Sequence, residues 1–225
     1  MGKDPTLRNY SVYADSSPQG TVTVLNDDCL QVALDAKAMD KDRVAVMNLS
    51  SGERQPAGGS YLGGSMTQEE SIYYRSTLGS TLENIKADVF PFEHNVIFTP
   101  NVLVIKDREY KDLPRHESIS VVSVTAHRPK MIKKVLTPEQ VHQLERRIRM
   151  CMIACEEHKI QTVVLGALGC GVFRNNPVQV AQCFRTVLSE RKYVPEVYFA
   201  ILETEKLNDD SGLGPLGTVF SQAFL

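Results

Sequence analysis

Short β-branched, apolar runs alternate along this chain with stretches whose apolar positions recur every three to four residues. The first run, residues 21–25 (TVTVL), predicts a strand. Asp28 then stands as a helix cap before residues 29–39, where Leu30, Ala33, Leu34 and Ala38 recur near the helical period. Residues 43–47 (RVAVM) predict a buried strand. Residues 48–66 break the periodicity and carry five glycines. The pattern resumes as a helix over 68–78, with Ile72, Tyr73 and Leu78 as its apolar contacts. Residues 96–98 and 102–105 predict two strands on either side of a Thr99-Pro100-Asn101 turn. Residues 119–125 (ISVVSVT) predict a buried strand, and Thr137 with Pro138 opens the longest helical stretch, 138–158. A strand at 162–165 (TVVL), a second glycine-rich loop at 166–176, a helix at 178–188 and a strand at 196–202 complete the series.

Strands alternating with helices predict an α/β domain whose sheet carries helices on both faces. Ligands of such folds sit outside the carboxyl ends of the strands. Both glycine-rich loops leave a predicted strand and enter a predicted helix, so both belong at that end. The chain has 225 residues, the size of one large domain, and we expect a single unit over 1–225 with 1–20 as an N-terminal extension.

Composition narrows the classes. The chain is 42% hydrophobic and 23% charged with a net charge of −2, and it has no block of like charge to bind duplex nucleic acid directly. No apolar run reaches membrane length, and the first residues lack the apolar core of a signal peptide. Five cysteines at irregular spacing describe no disulfide framework, so the expected compartment is the reducing cytoplasm.

The loops carry the chemistry. A glycine-rich turn entering a helix offers bare backbone N–H groups and the positive end of the helix dipole, a setting for phosphate. Gly166, Gly169 and Gly171 are spaced GxxGxG, the reverse of the dinucleotide fingerprint, and no P-loop pattern is present. In the earlier loop Gly58-Gly59-Ser60 is followed, after seven residues, by Gln68-Glu69-Glu70 at a helix start. Acidic residues there can simply favour the dipole. Adjacent helical residues point about 100° apart, so these two do not flank one bond as a glycosidase pair does. If they act on a sugar, one holds hydroxyls and the other handles the proton.

The segment from Gly58 to Glu70 resembles the GGG-x(6–8)-QEE signature of poly(ADP-ribose) glycohydrolases, in their microbial-type branch. The run from Leu165 through Gly171 to Phe173 (LGALGCGVF) resembles the second loop of that family, and Asn48-Leu49-Ser50-Ser51 resembles the entry to its first loop. The resemblance spans roughly residues 20–205. It implies a macrodomain-like three-layer α/β/α sandwich with a mixed central sheet and an ADP-ribose cleft. By motif position, Glu70 matches the catalytic glutamate and Glu69 the neighbour that holds ribose hydroxyls. Asn48 and Gln68 join the site, and Gly58, Gly59 and Ser60 line the diphosphate or distal ribose. Gly169, Cys170, Gly171 and Val172 do so from the second loop, where Phe173 covers the ribose. Asp28 is a candidate adenine contact.

The resemblance implies hydrolysis of the ribose–ribose bond of poly(ADP-ribose), or of another ADP-ribosylated macromolecule, with ADP-ribose as product. It implies a monomer with neither metal nor organic cofactor. Ser60 departs from the third glycine of the signature. That departure keeps open a non-catalytic ADP-ribose reader, and cleavage of an ADP-ribosyl bond to a side chain or nucleobase also remains open. Cys151, Cys155 and His158 share a helix face without a second ligand cluster, so a buried face with an exposed end is expected. Arg146, Arg147 and Arg149 read as a solvated face.

Overall fold

The computed structural model describes residues 12–13, 22–52, 61–64, 66–92, 95–128, 135–192, 195–203, 205 and 212–225. Its elements are β1 (Val12–Tyr13), β2 (Val22–Leu25), α1 (Cys29–Ala38), β3 (Val44–Ser50), α2 (Gln68–Arg75), α3 (Leu78–Val89), β4 (Ile97–Lys106), β5 (Asp112–Thr125), α4 (Pro138–Glu157), β6 (Thr162–Leu165), α5 (Pro177–Ser189), β7 (Glu196–Ala200) and α6 (Pro215–Ala223). Among the described residues the strands form one sheet in the order β1-β2-β7-β6-β3-β5-β4. The five strands from β2 to β5 in that order are parallel, and β1 and β4 run antiparallel at the edges. This is the mixed sheet expected of a macrodomain-like fold.

Period-two alternation in the strands divides the core into two layers. Ala45, Met47, Val122, Val124, Val163 and Phe199 point into one, which packs Leu144 and Ile148 of α4, Phe184 of α5 and Phe220 of α6. Val44, Val46, Val121 and Val164 point into the other, with Leu30 of α1, Ile72 of α2 and Leu82 of α3. Three layers follow from one alternation. No helix among the described residues is long and apolar enough to cross a membrane.

Several local expectations are corrected. Thr99-Pro100-Asn101 is no turn, because β4 runs through it as one strand with a register shift between Thr99 and Val102. An edge strand tolerates Pro100, whose missing N–H falls at the bulge, and Asn101 takes φ 56°. The helix expected over 68–78 stops at Ser76, which is extended, bridges Val104 of β4 and donates its hydroxyl to the Ile72 carbonyl (2.7 Å). Leu78 then opens α3, which periodicity did not reveal, and α6 and β1 were not expected either. In α1 the buried face is Cys29, Leu30, Val32, Ala33 and Ala36, and Ala38 is exposed. Arg147 is not solvated: it is buried beside Leu144 and Ile148, and its Nη1 points to the Thr125 carbonyl at the end of β5 (3.4 Å). Cys151 and Cys155 are fully buried, while exposed His158 stacks on Phe98 with ring centres 3.7 Å apart.

Candidate active site

The site begins where β3 outruns its neighbour. β3 pairs with β6 only through Val46, although it continues beside β5 to Ser50. On the β6 side the Met47 carbonyl and the Leu49 N–H therefore need partners. The Gln68 side chain supplies both. Its Nε2 donates to the Met47 carbonyl (2.7 Å) and its Oε1 accepts from the Leu49 N–H (2.9 Å). One amide completes the ladder and fixes the start of α2 against the end of β3.

That anchorage places both glutamates. Glu69 turns back to the strand end, where its Oε1 accepts from the Ser50 hydroxyl (2.7 Å) and its Oε2 from the Ser51 N–H (3.0 Å). It is buried, and burial pushes its carboxyl above the usual value, with a smaller push from Glu70 and opposition from Ser50 and Ser51. Glu70 turns to its own helix start: its Oε2 accepts from the Thr67 N–H (3.0 Å) and from the Thr67 hydroxyl. This is the glutamate half of a capping box. Both Thr67 contacts fall on Oε2, so Oε1 stands outside that pair. The two carboxyls are adjacent, buried and differently directed, as residues about 100° apart on a helix must be.

A cavity of about 600 Å³ opens beside them at the carboxyl ends of the parallel strands, the size of a small-molecule site. Leu49, Thr67, Gln68 and Ser71 line one side, and Ala200, Ile201 and Leu202, which end β7 and follow it, line another. Glu69 and Glu70 do not line it themselves; Thr67, Gln68 and Ser71, which flank them in the chain, do. Asn48 is fully buried under the strand end, donating to the Ser123 hydroxyl (3.0 Å), so it supports the site from below. Gly58, Gly59 and Ser60 lie outside the described residues.

Asp27, Arg75, Arg108 and Tyr110 also line the cavity and were not singled out in the sequence. Asp27 and Asp28 follow β2, and each meets an arginine. Arg75 Nη1 lies 2.7 Å from Asp28 Oδ1, and Arg108 Nη2 lies 2.6 Å from Asp27 Oδ1. Arg108 and Tyr110 sit in the turn between β4 and β5. The early part of β5, residues 112–118, precedes its first pairing with β3, at Ser120, so this hairpin extends past the opposite end of the parallel sheet. β4 carries two register shifts against β5, the kind of irregularity that bends a strand, and the hairpin's turn reaches Asp27 through Arg108.

The second loop has a different character. Ala167 and Gly171 line the cavity. Gly169 has φ 76°, and a Cβ there would lie 2.3 Å from Asn175 Nδ2 and 2.5 Å from the Ala126 Cβ, so packing requires this glycine. Val172 is exposed, and Phe173 is half-buried under the Arg128 guanidinium, 5.7 Å from its ring centre. Burial pushes the Cys170 thiol up to about 12, and the cavity-lining Cys29 likewise to about 12, which keeps both protonated and poor nucleophiles. All five cysteines are unpaired.

The chain is similar in sequence and fold to known proteins. Residues 5–107 match the family model described as the microbial-type PARG catalytic domain. Among solved structures, the poly(ADP-ribose) glycohydrolase of Thermomonospora curvata bound to the inhibitor ADP-HPD is 26% identical. It aligns over 89% of this chain and 78% of its own with a TM-score of 0.76. The enzyme of Deinococcus radiodurans in complex with ADP-ribose is 25% identical, over 91% of this chain and 84% of its own, with a TM-score of 0.75. No curated protein matches the chain in sequence at a significant level.

Proposed function

We propose that this chain, similar along most of its length to the microbial-type poly(ADP-ribose) glycohydrolases, cleaves the ribose–ribose bond of poly(ADP-ribose) and releases ADP-ribose. The observation that carries the reading is the pair of buried, oppositely engaged glutamates beside a cavity at the carboxyl ends of β2, β3 and β7. Glu70 is the general acid and base. Its Oε1, outside the Thr67 contacts, gives a proton to the leaving ribose oxygen as positive charge develops on the ring that loses that oxygen. The same oxygen then takes a proton from the attacking water. Glu69, held by Ser50 and Ser51, fixes ribose hydroxyls; its own bonds to the strand end keep it in place.

Gly58, Gly59 and Ser60 approach the diphosphate, and Gly169, Cys170, Gly171, Val172 and Phe173 close over it and the ribose from the second loop. Asn48 and Gln68 hold this arrangement, and Asp28 meets adenine. The chain acts as a monomeric single unit over 1–225 in the cytoplasm, on poly(ADP-ribose) rather than on duplex nucleic acid, a reading supported by its net charge of −2.

One observation favours a second reading, a non-catalytic reader of ADP-ribose: the contacts of Glu70 are all with Thr67 of its own helix start. Release of ADP-ribose from purified poly(ADP-ribose) by wild type and Glu70→Gln separates the two. Release by wild type that vanishes in the variant, with ADP-ribose bound by both, is expected. Binding by both proteins with release by neither would leave the reader.

A further inference from the structure

The end of β5 holds the second glycine-rich loop at three successive residues. A Cβ on Gly169 would lie 2.5 Å from the Ala126 Cβ, so the loop backbone sits directly on Ala126. The His127 carbonyl accepts from Asn175 Nδ2 (3.1 Å), and the Asn175 N–H donates to the Gly169 carbonyl (3.0 Å). Residues 170–174 therefore leave and return at one closed base. Gly171, Val172 and Arg174 of that excursion are exposed, and Phe173 is half-buried. The Arg128 guanidinium lies over the Phe173 ring, 5.7 Å from its centre. His127 is tied in turn to the start of α4, where Nε2 of Gln140, in the capping box, lies 2.6 Å from His127 Nε2.

We propose that Arg128 is a positioning residue for the hydrolysis, setting through Phe173 how the reacting ribose sits. The inference rests on the reading in which Phe173 covers that ribose. The outer torsion of a phenylalanine has a broad minimum, and a half-buried ring on an exposed excursion keeps much of that freedom. A cation over the ring face is attracted by the ring's quadrupole, which restricts its tilt. Arg128 supplies that cation from the strand end that already fixes both sides of the loop base, so ring and strand keep one relation. When the ring swings away, the ligand is still held by its diphosphate and adenosine. Its reacting carbon, however, leaves the line set by Glu69 and Glu70, and small misplacements of reacting groups cost rate. Arg128 acts through the ring and makes no bond to the reacting atoms.

Steady-state release of ADP-ribose from poly(ADP-ribose) by the full chain tests this as a double-mutant cycle of Arg128→Ala and Phe173→Leu. The stoichiometry of ADP-ribose binding, measured for each protein, counts folded sites. Arg128→Ala alone should lower kcat per site about two- to fivefold, the size of an exposed cation–π contact, and leave KM near wild type. In the Phe173→Leu background the same change should have no further effect, because the ring it acts through is gone. An equal fall in both backgrounds would overturn the proposal, since Arg128 would then act by its charge or on the fold rather than through the ring. A rise in KM with kcat unchanged would overturn it as well, by making Arg128 a binding group for the anionic polymer. Those two results leave the hydrolysis standing, whereas no release by wild type would overturn both readings.

Discussion

The starts of α2 and α5 follow neighbouring strands, β3 and β6, and both open helices at the ligand end of the sheet, yet they are closed in different ways. At α5 a dedicated cap does the work: Asn176 Oδ1 accepts from the N–H groups of Val178 (3.0 Å) and Gln179 (3.2 Å), and Pro177 takes the first helical position. The loop before it is fixed by Asn175, whose Nδ2 donates to the His127 carbonyl (3.1 Å) and packs against Gly169. At α2 the closing group is Glu70, the residue to which we assign proton transfer. One helix start is committed to structure. The other is closed through Oε2 of the residue we propose as the acid, whose Oε1 stands outside those contacts.

The largest expected effect comes from separating the two duties at α2. Glutamine also serves at the third position of a capping box, so Glu70→Gln should fold with little loss of stability. Its rate of ADP-ribose release should fall roughly 100-fold or more, the range of general acid–base catalysis. Next is the packed side of the comparison. Gly169→Ala puts a Cβ at positive φ and into Asn175, which should destabilise the chain by roughly 2–4 kcal/mol in a denaturant titration. A change well below that would mean that the packing around Gly169 gives way to an added methyl group. Asn176→Ala removes a cap with no chemical duty. It should lower stability by about 1 kcal/mol and leave the rate of release near wild type. A large fall in rate would erase the distinction between the two helix starts.

The last expectation is a slope rather than a step. Burial raises the folded-state value of Glu69, so above the ordinary carboxyl value of 4.5 the folded chain holds a proton that the unfolded chain has lost. This contribution to stability is complete below that value and is lost as pH rises through the raised one. Glu69→Gln cannot titrate, so unfolding free energies measured across that window should decline less with pH in the variant. Parallel slopes in the two proteins would refute the assignment.

The alternation of runs in the sequence was enough to place most strands and helices, because each carries its own period and each faces a core set by that period. The reading was weakest where contact with other elements overrides local preference. Ser76 leaves the helix to bridge β4, and Pro100 passes through an edge strand at a register shift in its pairing with β5. Arg147 looks solvent-facing until the end of β5 arrives as an acceptor.

The same division runs through the site. The sequence by itself determined that two glycine-rich loops stand at the carboxyl ends of strands, and that Glu69 and Glu70 open a helix pointing different ways, because chain order and helical geometry fix both. Only the tertiary structure decided what holds those carboxyls and what meets the other end of the cavity. Gln68 acts as a stand-in strand because β3 is longer than its pairing with β6. Asp28 meets an arginine 47 residues away, and Asp27 meets one 81 residues away on a hairpin whose ladder carries two register shifts. Such meetings depend on relative strand lengths and on the curl of a ladder. Those properties belong to pairs of segments, and no single segment's pattern records them.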